Sequence, residues 1–123
     1  MRIFDLKSNE HERAGDLCLL AELFHPKRTA TGVTSRYSLA HAIVPAGEAT
    51  SPHRLKTSSE VYYILSGRGM MHIDDEEAEI GAGQLVYIPP GAIQWFLNTG
   101  DDDLVFLAIV DPAWCEEDED IML

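Results

Sequence analysis

Residues 47–67 read G-E-A-T-S-P-H-R-L-K-T-S-S-E-V-Y-Y-I-L-S-G, and residues 83–98 read G-Q-L-V-Y-I-P-P-G-A-I-Q-W-F-L-N. Both stretches alternate short apolar runs with turn-forming residues. Val61 to Leu65 is β-branched and aromatic, and Ser66-Gly67 stops it. Gly69 to Ile73 follows at hairpin distance. Gln84 to Ile88 is closed by Pro89-Pro90-Gly91, and Ile93 to Leu97 by Asn98-Thr99-Gly100. The pattern continues outward. Leu17 to Phe24 is an apolar run of strand length, and Arg36 to Val44 alternates bulky and small residues before Pro45-Ala46-Gly47. Leu104 to Val110 is wholly apolar, which predicts a strand buried on both faces. Many short strands at close spacing indicate an all-β sandwich or barrel. No segment has strong helical periodicity; one helical turn is expected around Glu116 to Met122, and Pro26 to Thr34 reads as an exposed loop.

Within the quoted stretches, Gly47, His53, Leu55, Glu60 and Gly67 stand at fixed intervals, as do Gly83, Pro89, Gly91, Gln94 and Asn98. These two series resemble the signature motifs of the cupin superfamily: glycine, His-x-His, glutamate, glycine, then glycine, Pro-x-Gly, histidine, asparagine. The resemblance spans about residues 36 to 110. More closely, the chain is similar to small single-domain cupins of the cupin 2 conserved barrel type, often labelled mannose-6-phosphate isomerase-like. It implies an all-β double-stranded β-helix, the jelly-roll barrel. Residues 36–111 would form the barrel, residues 1–35 would be N-terminal strands and a loop packed on it, and residues 112–123 an acidic tail, all in one structural domain.

The resemblance also implies four metal ligands, which fall on His53, Leu55, Glu60 and Gln94. Leu55 cannot ligate, and Gln94 can do so only through a neutral carbonyl oxygen. Strand geometry points the same way: residues two apart share a face, so His53 and Leu55 go together, as do Glu60, Tyr62 and Ile64. If that face is the barrel interior, His53, Glu60 and Gln94 converge on one point. Such a site would suit manganese, iron(II), zinc, nickel or magnesium without sharp preference. The alternative is a metal-free pocket, with His53 and Glu60 as a hydrogen-bonded pair and Gln94 as a polar lining residue.

Further residues are expected in the same pocket. His41 lies mid-strand, where it either supplies a missing ligand or is a satisfied core or surface histidine. Thr50, Leu55, Tyr62 and Trp95 are candidate lining groups, and of Trp95 and Phe96, which flank Gln94, at most one should face inward. Arg36, Tyr37 and Arg54 are nearby polar candidates. His72 reads as a surface residue, while His11 and His25 lie in expected loops.

Composition bounds the function. The chain has 123 residues, enough for a core, and a formal net charge of −12, which argues against nucleic acid and anionic membrane surfaces. The acidic runs Asp74-Asp75-Glu76-Glu77, Asp101-Asp102-Asp103 and Glu116-Glu117-Asp118-Glu119-Asp120 read as solvated loop tips and tail. No apolar run reaches membrane-span length, and Met1 to Lys7 lacks the apolar stretch of a signal peptide, so a cytoplasmic location is expected. Cys18 and Cys115 fit no disulfide framework or metal motif and read as reduced thiols.

Three functions fit. One is a metal-assisted, isomerase-like enzyme on a sugar, sugar acid or keto acid, with His53 and Glu60 as catalytic groups. The second is a non-catalytic binding or sensing module without metal. The third, an iron-dependent dioxygenase, has too few histidines at the motif positions. A homodimer is expected, with residues 1–24 or Ile121-Met122-Leu123 covering an open sheet edge.

Overall fold

Side chains that alternate along short strands give two apolar faces, and burying them against each other gives two facing sheets. A computed structural model describes residues 1–29 and 31–122 of the chain. Its strands are β1 (Glu12–Arg13), β2 (Leu19–Phe24), β3 (Ser38–Val44), β4 (His53–Leu55), β5 (Ser59–Ser66), β6 (Arg68–Ile73), β7 (Glu76–Gly81), β8 (Leu85–Ile88), β9 (Gln94–Asn98), β10 (Leu104–Asp111) and β11 (Glu119–Ile121). One sheet has the order β1-β2-β3-β10-β5-β8 and the other β11-β4-β9-β6-β7. Together they form the expected jelly-roll barrel. No helix among the described residues is long and apolar enough to cross a membrane.

The core lies between the sheets. Phe96, Phe106, Ile64, Leu104 and Val44 are among its most deeply buried apolar side chains. Burying each contributes about 1.5–3 kcal/mol. The Phe106 ring lies 4.4 Å from that of Tyr62 and 5.5 Å from that of Phe96. The motif residues outside the pocket hold the turns. Gly67 has φ +84°, and a Cβ there would sit 2.6 Å from the Asp103 carbonyl oxygen, so only glycine fits. Asn98 donates from Nδ2 to the Val44 and Asp102 carbonyls and accepts from the Gly100 amide, riveting the end of β9 to the neighbouring loop.

Several expectations need correction. The run from Leu104 to Val110 is not buried on both faces: its even-numbered residues point inward, while Val105, Leu107 and Ile109 lie half-buried on the outer face. The acidic stretch after Asp75 is not only a loop tip, because Glu76–Gly81 pairs with β6 as an edge strand. The tail forms a 3₁₀ turn, Glu116–Asp118, and then β11, which covers the edge of β4. Asp118 is buried rather than solvated. It accepts from the Thr57 amide and hydroxyl and from the Ser58 amide. Burial raises its pKa, but these hydrogen bonds outweigh that and leave it below the ordinary carboxylate value. At the other end, β1 covers the edge of β2. Of the three-residue apolar end, Leu123 lies outside the described residues.

Candidate ligand pocket

The pocket exists because small side chains face inward where the barrel would otherwise be filled. Ser38, Ala40 and Ala42 on β3 and Ala108 on β10 leave a cavity of about 480 Å³. That volume suits a small organic ligand. Glu60 and Tyr62 project into it from β5, His53 from β4, Leu20 from β2, and Cys18 from the bend just before β2. Ser8, Asn9 and Glu10, and Glu12 to Gly15, also line the cavity.

Glu60 is the central polar group. It is 8% exposed, and Gln94 Nε2 donates to its Oε1 at 2.8 Å; its other oxygen has no protein partner among the described residues. Burial drives its pKa up to about 8; the Gln94 hydrogen bond opposes this, while the charges of Asp16 and Glu119 reinforce it. His53 Nδ1 donates to the Ser51 carbonyl at 2.8 Å, which leaves Nε2 turned to Asp16 Oδ2 at 3.5 Å. Asp16 Oδ1 accepts from the Cys18 amide. Burial also pushes up the Tyr62 hydroxyl, the Cys18 thiol and the Glu119 carboxyl, so both hydroxyl and thiol stay protonated.

His53, Glu60 and Tyr62 line the cavity, but His53 and Glu60 do not form the expected hydrogen-bonded pair, since Gln94 holds Glu60 while His53 turns to Ser51 and Asp16; the other candidates lie off the wall. Gln94 is buried behind Glu60, and its Oε1 has no partner among the described residues. Leu55 is packed inside the barrel, off the cavity wall. The Thr50 hydroxyl accepts from the Phe96 amide and serves the strand. His41 points to the opposite face of β3, where its Nδ1 bonds His11 Nε2 at 2.8 Å; burial and the neighbouring imidazole lower its pKa. Trp95 lies on the face of β9 away from Gln94 and stacks on His72, with ring centroids 3.6 Å apart. His72 is thus half-buried rather than a plain surface group, and it also contacts Glu77 at 3.0 Å.

The donors do not fit the divalent metal that the family resemblance implies. The amide nitrogen of Gln94, which cannot ligate, is the atom facing Glu60, and Leu55 presents hydrocarbon at the third ligand position. Among the described residues, no group of three or more His, Cys, Asp or Glu side chains is placed to hold a metal ion.

Sequence reasoning missed Asp16, Glu119, Cys18 and Trp114, all on the cavity wall. Asp16 sits in a turn and Glu119 in a charge run, so neither carried a local signal. His25, expected to be an idle loop residue, is buried; its Nε2 donates to the Trp114 carbonyl at 2.7 Å and so holds this wall in place.

Comparison with known proteins agrees with this architecture. Residues 40–110 match the family model described as Cupin domain. The uncharacterized protein MJ1618 of Methanocaldococcus jannaschii is 41% identical over 107 residues, covering 87% of this chain and 83% of that protein. The glucose-6-phosphate isomerase of Pyrococcus abyssi is 30% identical over 105 residues; the match takes in 81% of this chain but only 49% of that enzyme. The crystal structure of a predicted oxalate decarboxylase from Thermotoga maritima superposes with a TM-score of 0.79 at 24% identity, over 90% of this chain and 99% of that one, which speaks to fold alone. With more than half its length inside the family model and both motifs on barrel strands, this chain belongs to the cupin domain family.

Proposed function

We propose that this cupin binds a small polar molecule in the barrel cavity and moves a proton on it, in isomerase-type chemistry with Glu60 as the general base. The observation that carries this is the placement of Glu60: a buried carboxyl on the cavity wall, with one oxygen held by Gln94 and the other open to the cavity. A carboxyl held this way is basic enough to abstract a proton from carbon beside a carbonyl near neutral pH. His53, steered by Ser51, presents Nε2 as the second group for the substrate oxygen. A relative named glucose-6-phosphate isomerase suggests a carbonyl-bearing compound, but among the described residues no uncommitted arginine or lysine in the cavity answers a phosphate group. The test is solvent deuterium exchange into candidate hydroxy-carbonyl compounds, followed by NMR. Exchange lost in Glu60→Gln with binding retained supports the reading. Exchange that persists in Glu60→Gln, or binding without exchange in the wild type, refutes proton transfer by Glu60.

The expected homodimer has a candidate face. On the outer side of the first sheet, Tyr63 and Leu85 pair across β5 and β8, and Tyr87 lies beside Val61. Tyr63 is 40% and Tyr87 59% exposed, at the edge strand of a chain otherwise dense in acids. A self-pairing surface must exclude like charge, and this one does. Light scattering coupled to size exclusion checks it: Tyr87→Lys should turn a dimer into a monomer, and a wild-type monomer removes the idea.

A further inference from the structure

Resting on the ligand-binding reading above, we propose that the cavity selects a cationic, donor-rich small molecule, an amine-bearing polar compound, over anions of the same shape. Six carboxyl groups line the cavity: Glu10 and Glu12 are exposed at its mouth, Glu22 is paired with Arg28, and Asp16, Glu60 and Glu119 stand on the wall against the single imidazole of His53. They are close enough for the charge of Asp16 to act on both others. Among the described residues, the two arginines that line the cavity are already committed: Arg28 Nε lies 2.7 Å from Glu22, and an Arg13 guanidinium nitrogen 2.9 Å from Glu48. No lysine among them lines the space. The described residues hold only two three-residue 3₁₀ turns, so no helix N-terminus supplies amide donors for an anion.

The acidity alone would not make a site. Among the described residues, two nine-tenths-buried groups on the wall have a polar atom with no hydrogen-bond partner: the Tyr62 hydroxyl (residue 3% exposed) and the second oxygen of Glu60. An ammonium group complements this wall, because it donates in several directions, to the carboxyl oxygens of Asp16 and Glu119 and to the open oxygen of Glu60, whose ionisation its charge favours. A carboxylate or phosphate there would add repulsion in a low-dielectric setting with no counter-ion. Glu10 and Glu12 at the rim, on a chain of net charge −12, extend the same field outward and draw cations in.

The test is isothermal titration of the full chain, in chelator-treated buffer at pH 7, with two matched sets. Glucosamine, glucose and glucuronate share one hexose frame; benzylamine, benzyl alcohol and benzoate share an aromatic one. The amine should bind about tenfold more tightly than its neutral partner, and the anion most weakly. Glu119→Gln and, independently, Asp16→Asn should each narrow the amine-to-neutral ratio several-fold, with thermal melts confirming that each variant folds. An anion that binds as well as its amine, or a neutral member that matches it, overturns the charge selection while leaving the pocket reading intact. An anion that binds only once divalent metal is added also overturns it, since a metal would invert the local charge. No heat from any of the six overturns both this selection and the ligand-binding reading.

Discussion

Replacing Glu60 by glutamine should stabilise the protein at neutral pH, although it removes the central carboxyl of the cavity. Burial raises the Glu60 pKa from 4.5 to about 8, so the folded chain holds this proton more tightly than the unfolded one does. Stability therefore falls as pH rises from 4.5 toward 8. At pH 7 the unfolded carboxyl gains about 2.5 pH units of ionisation free energy that the folded one largely forgoes, a cost of about 3 kcal/mol. At pH 5 the same cost is only about 1 kcal/mol. In the Glu60→Gln variant the amide would occupy the same volume, still accept from Gln94 Nε2, and never ionise. Urea denaturation with linear extrapolation, at pH 5, 6, 7 and 8, reads the effect. The gap between Glu60→Gln and wild type should widen by about 2 kcal/mol between pH 5 and pH 7. Glu119, also raised, adds the same slope to both proteins, and His41, lowered, adds the opposite slope below about pH 6.5 in both. The difference isolates Glu60. Parallel pH profiles would refute the reasoning, since they would mean that Glu60 is not carried into the folded state at the expense of its charge.

Three other outcomes are expected. Asp118→Ala should cost about 1–3 kcal/mol, because it orphans the Thr57 and Ser58 amides beneath the tail; because the Asp118 pKa is lowered, the wild-type advantage should fade on acidification through its folded value, as equilibrium denaturation will read. Phe96→Ala should cost about 3–5 kcal/mol in the same assay, since it empties the centre of the core beside Tyr62 and Phe106. Manganese, zinc, nickel or iron(II) added to chelator-treated protein should leave the melting temperature unchanged, whereas a metal-dependent rise abolished by His53→Ala would mean that the side chains rearrange into a metal site.

Much of the architecture was legible because it is written locally. Period-two alternation and the turn residues marked seven strands to within a few positions, and the spacing of Gly47, Gly67, Gly83 and Gly91 matched turns whose backbones need positive φ. Strand parity also decided more than was taken from it. Gln94 and Trp95 are adjacent in β9 and cannot both face inward, so counting both toward one pocket contradicted the alternation itself. For His41 the parity was available, but not which face of β3 was the inner one; Ala40 and Ala42 carry no hydrophobic signal strong enough to say.

The residues of the sequence by themselves determined the barrel and its motif turns, because each depends on spacing along a few neighbouring residues. Only the tertiary structure decided the rest. It placed Asp16 and Glu119 on the same wall as Glu60, one from a turn before β2 and the other from a strand added at the far edge of the second sheet. It also turned the amide nitrogen of Gln94, rather than its oxygen, toward Glu60. The physical reason is that electrostatic character is a sum over charges brought together by sheet closure, and that sum has no trace in any one segment of the chain.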